Sequence, residues 1–106
     1  MKGPIAVRYS AAARDDLFRL YEFLLDRAQT AEDFDAAQST IDALRREVEQ
    51  HLSHHPFICR KVGDNPFLRE LIIPFRRGGY VALFEIEDAH TVSILALRHQ
   101  REEDYH

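Results

Sequence analysis

The sequence is poor in cysteine and lysine, lacks tryptophan and has no long apolar run. Its one cysteine, Cys59, excludes an intrachain disulfide framework and fits a reducing cytoplasm. No window approaches the roughly 20 consecutive apolar residues of a membrane-spanning helix. The opening segment MKGPIAVRYS lacks the apolar middle section of a secretory signal. We therefore expect a cytoplasmic protein that does not insert into a membrane.

Motifs that bind metals or cofactors are missing as well. The RRGG segment at 76–79 lacks the spacing of a phosphate-binding loop and is not followed by a helical pattern. His51 and His55 are four residues apart, so one helix face could present both to a metal ion. No carboxylate motif accompanies them, and with His54 they lie where a helix ends, which favours contacts with exposed carbonyl groups. We expect no cofactor and no metal.

Length and composition suit a single globular domain spanning residues 1–106. Hydrophobic residues make up 45% of the chain and charged residues 30%, an ordinary balance for a protein with one core. The formal net charge is −4. A negative total argues weakly against non-specific nucleic-acid binding, which usually requires a basic surface.

The charge is distributed unevenly along the chain. Residues 1–55 carry 7 basic and 10 acidic side chains, whereas residues 57–80 carry 5 basic and 2 acidic ones. A basic surface of this size can steer an acidic partner towards the protein; the alternative is a solvated strand face. The five basic residues of this segment are Arg60, Lys61, Arg69, Arg76 and Arg77.

The first 25 residues predict a strand followed by a helix. Ile5–Tyr9 has strand composition, and Ser10 offers an N-cap to the helix. Asp15 and Asp16 are expected in the first turn of that helix, where its dipole favours acidic groups. Apolar residues then recur at helical spacing. They are Ala13, Leu17, Leu20, Tyr21, Leu24 and Leu25.

A second helix is expected after a break of three or four residues. Thr30 and Asp33 form a capping box, and the helix should end before Pro56, because the residue preceding a proline avoids helical backbone. Apolar steps of three and four residues predict close packing against a neighbour, and the short connection predicts an antiparallel helical hairpin. The second stripe is Phe34, Ala37, Ile41, Leu44, Val48 and then His51 or Leu52.

After Pro56 the pattern indicates strands joined by short turns. Residues Phe67–Phe75 alternate between two faces, and the two glycines of the RRGG segment at 76–79 suit a hairpin turn that requires positive φ. The strands Tyr80–Glu87 and Thr91–Arg98 complete an antiparallel meander. Both faces of the last strand are apolar, so we expect it inside the sheet. The segment between Phe57 and Val62 leaves strand, loop and helix extension open.

These elements predict an α+β fold in the order β-α-α-β-β-β. An N-terminal strand precedes an antiparallel helical hairpin, which packs on one face of a small, twisted, mainly antiparallel sheet. The N-terminal strand should join the same sheet, because a lone strand would leave its backbone polar groups unpaired.

The end of the last strand carries a cluster of groups with chemical potential. Arginine binds phosphate, histidine transfers protons near neutral pH, and tyrosine stacks on bases or donates a proton. A metal-free ribonuclease uses such groups. The alternative is a solvated tail in which the arginines pair with the acids at 102–104. The cluster comprises Arg98, His99, Arg101 and Tyr105.

Two segments, LRELIIPFRRGGYVALFEIED and ILALRHQREEDY, resemble the RelE/ParE toxin superfamily when they follow a short strand and a helical hairpin. The likeness is greatest to ParE toxins, often called plasmid stabilisation proteins, and covers nearly the whole chain. It implies the fold expected above. It also implies a bacterial toxin of a type II toxin–antitoxin system, which forms a hetero-oligomer with a cognate, ParD-like antitoxin.

The superfamily divides by target, and the resemblance leaves the target open. RelE-like members cut messenger RNA on the ribosome, whereas ParE-like members inhibit DNA gyrase and so arrest growth. This chain has only two lysines, Lys2 and Lys61, and a negative net charge, which disfavour approach to a dense phosphate scaffold. We therefore expect a gyrase inhibitor. A ribosome-dependent mRNA endonuclease and an inactive homologue that only binds antitoxin are the alternatives.

The resemblance also suggests two sets of site residues. In a nuclease, the catalytic candidates would be Arg76, Arg98, His99 and Tyr105. An acidic antitoxin tail would suit a larger basic set. That set is Arg60, Lys61, Arg69, Arg76, Arg77, Arg98 and Arg101.

Overall fold

The structure is a computed structural model that describes residues 4–75 and 78–101. The predicted turn residues Arg76 and Arg77, and the end of the chain with Tyr105, lie outside the described residues. The elements are β1 (Ala6–Tyr9), α1 (Ala11–Asp26), α2 (Ala31–His54), a 3₁₀ turn (Pro56–Ile58), β2 (Arg60–Val62), β3 (Asn65–Phe75), β4 (Gly78–Asp88) and β5 (Thr91–His99).

One five-stranded sheet carries the fold, with the strands in the order β1-β5-β4-β3-β2. β1 pairs with β5 in parallel, and the other pairs are antiparallel. This confirms the predicted α+β architecture, the joining of the N-terminal strand to the sheet and the interior position of β5. The segment between Phe57 and Val62, for which the sequence leaves several structures open, contains most of the 3₁₀ turn and the edge strand β2.

Both helices begin at the predicted caps. The Ser10 side chain accepts a hydrogen bond from the backbone N–H of Ala13. Thr30 and Asp33 form the expected capping box at the start of α2. The resulting hairpin covers one face of the sheet, with α1 against β5 and α2 against β1 and β3.

The core lies between this hairpin and the sheet. The second apolar stripe is buried at Ala37, Ile41, Leu44, Val48 and Leu52. On β4, burial alternates from Ala82 to Ile86, as the strand period requires. The prediction that Phe34 is the first member of the α2 stripe is wrong, because that side chain is 48% exposed. Phe34 lies in the first turn of α2 beside the interhelical loop, and the buried part of the stripe begins one turn later.

A β-bulge in β5 is joined to α1 by side chains. Leu83 pairs with Ala96 but Phe84 pairs with Ile94, so Leu95 is an extra residue. Bulges leave backbone groups outside the regular hydrogen-bond ladder. On β5, side chains from the start of the helical hairpin bind backbone groups near the bulge.

The N-cap residue of α1 and two side chains of its first nine residues bind the backbone of β5 near the bulge. The Ser10 hydroxyl donates to the Leu95 carbonyl at 3.2 Å. The Asp16 carboxylate accepts the Leu97 N–H at 2.9 Å, and the Arg19 guanidinium donates to the Leu97 carbonyl at 3.3 Å. The expected first-turn position of Asp16 is wrong, because α1 begins at Ala11 and its first turn holds no acid. Asp16 is instead a buried acceptor, 6% exposed.

Candidate functional site

A groove of about 1160 Å³ lies between the helical hairpin and the ends of β3, β4 and β5. Its apolar wall is formed by Leu20, Phe23 and Leu24 of α1 and by Phe75 and Tyr80 of the sheet. Phe23 is 52% exposed, so a large aromatic side chain faces the opening. Exposed apolar surface of this kind marks sites where other molecules bind.

Small side chains on α2 leave room for the groove. Ala36, Ser39, Thr40 and Ala43 line it from that side. They share one face of α2, and larger side chains there would extend into the groove. The width of the groove therefore depends on these four positions.

The basic residues that line the groove come from α1 and from the end of the sheet. Arg19 and Arg27 come from α1, and His99 and Arg101 come from the end of β5 and just beyond it. The Arg27 guanidinium lies 4.3 Å from the centre of the Phe23 ring, a cation–π distance. Among the described residues that line the groove, none is acidic. The groove therefore favours a ligand that combines apolar groups with negative charge.

His99 is the last of three rings that make edge-to-face contacts. Its ring meets Tyr80 edge-on at 5.4 Å, and Tyr80 meets Phe75 in the same manner at 5.5 Å. Burial raises the pKa of the Tyr80 hydroxyl, so Tyr80 stays neutral at physiological pH. The backbone N–H of Arg101 donates to His99 Nδ1 at 3.1 Å, which assigns the proton of a neutral ring to Nε2.

Two glycines at the start of β4 make this arrangement possible. Gly78 has φ +118, as predicted for the turn, and a Cβ there would lie 3.1 Å from Cε1 of His99. Gly79 does not have positive φ, so that part of the prediction is wrong. A Cβ on Gly79 would lie 2.4 Å from the carbonyl oxygen of Ile73, and glycine is needed for this close approach of β3.

The structure separates two of the nuclease candidates. His99 pairs with Tyr80 and Arg98 pairs with Val81, and successive side chains of a strand point to opposite faces. His99 therefore lines the groove on the helix side, while Arg98 lies on the other face and donates to the carbonyl groups of His99 and Gln100 at 3.3 and 3.5 Å. The candidates Arg76 and Tyr105 lie outside the described residues.

Of the predicted partner-binding residues, Arg101 lines the groove. Arg60 forms an ion pair with Glu70 at 2.7 Å, and Lys61 is exposed on the same edge strand. The Arg69 guanidinium donates to three carbonyl groups, at 2.7 to 2.9 Å, and thereby ties the 3₁₀ turn to β3. Arg76 and Arg77 are not described.

The histidines at the end of α2 make local contacts. His51 Nε2 lies 3.4 Å from Glu47, and His54 Nδ1 lies 3.0 Å from the Gln50 carbonyl, as the helix-end interpretation expects. Within residues 4–75 and 78–101, no three His, Cys, Asp or Glu side chains are placed to hold a metal ion. No helix in those ranges has the length and apolar character to span a membrane.

Most residues that line the groove are either predicted as core residues from the sequence or not predicted as functional at all. Leu20 and Leu24 were expected in the apolar stripe, and Arg19, Phe23 and Arg27 were not singled out. One signal was available: Phe23 lies beside the stripe, where an amphipathic helix normally carries a polar residue.

Comparisons with known proteins identify relatives. A family profile described as "ParE toxin of type II toxin-antitoxin system, parDE" matches residues 7–104. A solved chain from the "Chromosomal ParDE TA system from P. aeruginosa" is similar with a TM-score of 0.67 and 15% identity; the match covers 90% of this chain and 95% of that one. At that identity the likeness shows the fold alone. No curated protein matches.

Proposed function

Since the chain belongs to the ParE toxin family of type II toxin–antitoxin systems, we propose that it inhibits DNA gyrase and that a cognate antitoxin neutralises it by binding in the groove. The toxin–antitoxin class follows from the family. The gyrase target, the antitoxin site and the resulting growth arrest are the proposal.

The groove supports antitoxin binding by its chemistry. Its apolar wall suits the apolar face of a segment that folds on binding. Its basic rim, formed by Arg19, Arg27, His99 and Arg101, suits acidic residues beside that face. Charges at a rim fix the register of a partner and speed its association. The single observation that carries the proposal is the absence of acidic residues among the described residues lining a groove with a wide apolar wall.

The rim is a better antitoxin contact than the edge of the sheet at β2. Arg60 and Arg69 already have intramolecular partners there, so new ion pairs would replace existing contacts. Arg101 is exposed and lines the groove. We therefore assign the first contacts with an acidic antitoxin to Arg27 and Arg101, and only secondary contacts to Lys61 and its neighbours.

Two observations favour a gyrase inhibitor over the mRNA endonuclease. Arg98 and His99 lie on opposite faces of β5, which does not suit a joint role in RNA cleavage. The chain also has a net charge of −4, whereas binding to RNA phosphates gains from positive charge. His99 remains the one described candidate that lines the groove.

Parallel assays with two targets test this function. Purified toxin is incubated with gyrase and relaxed plasmid, and separately with translating ribosomes. We expect loss of supercoiling or trapped DNA breaks, relieved by the cognate antitoxin. Discrete cuts in messenger RNA, abolished by His99→Ala, would instead establish the endonuclease. Antitoxin binding without either effect would establish an inactive homologue.

A further inference from the structure

Three large apolar side chains lie exposed where the 3₁₀ turn meets the start of β3. Phe57 is 56% exposed, Ile58 78% and Phe67 49%; we call these three residues the distal patch. The Arg69 guanidinium joins them, because it lies 5.3 Å from the centre of the Phe57 ring and bonds the carbonyl groups of Phe57 and Pro66, the residue before Phe67. Exposed apolar surface of this kind marks a site where another molecule binds.

Two positive charges adjoin the distal patch without an acid to neutralise them. Lys61 on β2 lies directly opposite Arg69 on β3, and like charges in that position destabilise a pair of strands. The hydrogen bonds of Arg69 go to uncharged carbonyl groups, so its charge remains. Among residues 4–75 and 78–101, no carboxylate forms an ion pair with Lys61 or Arg69. The unfavourable pair therefore suits a partner that brings negative charge.

The neighbouring cross-strand pair shows the contrast. Arg60 lies opposite Glu70 and forms an ion pair with it at 2.7 Å. These two residues share the face of the sheet away from the helices, since side chains alternate along each strand. The charges of that face are matched within the chain, whereas those beside the distal patch are not.

Internal hydrogen bonds hold the distal patch in one arrangement. The Arg69 guanidinium reaches three carbonyl groups at 2.7 to 2.9 Å, and the N–H of Ile58 donates to the His55 carbonyl at 3.4 Å. A partner meets side chains that are already positioned, so little conformational freedom is lost on binding. The exposure of Phe57 and Ile58 is thus built into the fold.

The distal patch and the groove lie at opposite ends of β3. Phe67 is near the start of that strand, whereas Phe75 at its end lines the groove. The strand between them spans about 26 Å at the usual rise per residue. The two surfaces share no residue, so a protein bound at the distal patch does not fill the groove.

We propose that the distal patch is the surface through which the toxin binds its target enzyme, an inference that rests on the proposed inhibition of gyrase. The apolar side chains form the centre of that interface, and Lys61 meets a carboxylate of the target at its edge. A protein fits better than nucleic acid, because the aliphatic Ile58 cannot stack on bases and two charges bind few phosphates. The secondary antitoxin contacts at Lys61 overlap this surface, so antitoxin anchored in the groove excludes the target.

Supercoiling assays with purified gyrase and variants of the full chain test the proposal. Ile58→Ser should raise the toxin concentration for half-inhibition at least about tenfold. Ile72→Ser is the matched control: Ile72 is also exposed, by 42%, but lies on the opposite face of β3 from Arg69, and this variant should inhibit like the wild type. Both variants should bind the cognate antitoxin with nearly unchanged affinity, which shows that they are folded and that the groove is intact.

Lys61→Glu separates target binding from stability. The substitution places an acid opposite Arg69, so the variant should be at least as stable as the wild type in thermal unfolding. Its inhibition of gyrase should nevertheless weaken at least about tenfold. Arg14→Glu makes the same change of charge at an exposed position of α1 and should leave inhibition unchanged.

The outcomes distinguish this inference from the function on which it rests. Full inhibition by Ile58→Ser and Lys61→Glu, or equal losses in their controls, would overturn the inference while leaving the gyrase target intact. A wild type without effect on gyrase would overturn the proposed function and this inference with it. Binding of the wild type to plasmid DNA alone, abolished by Lys61→Glu, would assign the distal patch to nucleic acid and also overturn the inference.

Discussion

The carboxylate of Asp16 on α1 accepts the backbone N–H of Leu97 on β5, with 2.9 Å between Oδ2 and N. The bond lies next to the bulge at Leu95, and the Ser10 hydroxyl binds the carbonyl of Leu95 itself. Together they fix α1 on β5, close to the point where β5 enters the groove. The relation between helix and strand, and with it one wall of the groove, therefore depends on a buried polar contact.

Replacement of Asp16 should reveal this role. In Asp16→Ala the buried N–H of Leu97 loses its acceptor, and we expect a loss of about 1–3 kcal/mol in the free energy of unfolding. Asp16→Asn keeps an oxygen acceptor and should lose less. Urea denaturation of both variants measures the difference. Equal losses of unfolding free energy in the two variants would show that an oxygen acceptor for the Leu97 N–H does not account for the stabilisation by Asp16.

Gly79 should tolerate substitution less well than Gly63. A Cβ at this position would lie 2.4 Å from a backbone oxygen of β3, so the two strands must separate. We expect Gly79→Ala to cost about 2 kcal/mol or more. Gly63→Ala is the control: its φ is +64 but nothing lies within 4 Å, and we expect a cost of about 1 kcal/mol. Thermal unfolding ranks the two, and the reverse order would contradict the packing described at Gly79.

The capping box of α2 should make stability depend on acid pH. The backbone N–H of Gln29 donates to the Asp33 carboxylate, with further bonds from Thr30, and lowers the pKa of Asp33 below its usual 3.8. A carboxyl whose pKa is lowered by folding stabilises the protein above its unfolded pKa. That contribution is lost as the pH falls through the lower, folded pKa.

Asp33→Ala should therefore be less stable than the wild type at neutral pH, and the difference should shrink once the pH falls below 3.8. Denaturation midpoints of both proteins at neutral pH and at a pH below 3.8 measure the difference in stability. Asp35→Ala, an exposed acid in the same helix, controls for charge alone. A difference between wild type and Asp33→Ala that is independent of pH would contradict the assigned role of the carboxylate.

Much of the fold was predictable because it is local. Both helix starts are predictable from caps that bond to residues within a single turn, formed by Ser10, Thr30 and Asp33. The alternation of apolar residues predicts which face of a strand is buried. The contact between Asp16 and Leu97 joins residues 81 positions apart. No local pattern encodes it, so Asp16 was assigned to a helix dipole instead of to β5.

The groove escaped prediction for a related reason. It exists because the hairpin meets the sheet at one end without filling the space, and that depends on where α1 and α2 lie across the strands. From sequence, Leu20 and Leu24 are core residues; in the structure they also line an opening. The cluster at the end of β5 was found, but the separation of Arg98 from His99 follows only from the register with β4.

Arg101 should contribute to antitoxin affinity through charge. It is exposed at the groove, so Arg101→Ala should slow association and weaken binding at low ionic strength, with the effect shrinking as salt is added. Arg14→Ala, an exposed arginine of α1 outside the groove, is the control. Surface plasmon resonance at several salt concentrations measures both. Equal loss in the two variants would indicate general electrostatic attraction without a site.

Binding of the cognate antitoxin to Phe23→Ala and Phe18→Ala tests the groove most directly. Both phenylalanines lie on α1 and are exposed, by 52% and 63%, but only Phe23 lines the groove. By isothermal titration calorimetry, we predict that Phe23→Ala raises the dissociation constant at least about tenfold, equivalent to roughly 1.4 kcal/mol, and that Phe18→Ala leaves it unchanged. Unaltered affinity in Phe23→Ala, or an equal loss in both variants, would contradict the assignment of the groove to the antitoxin.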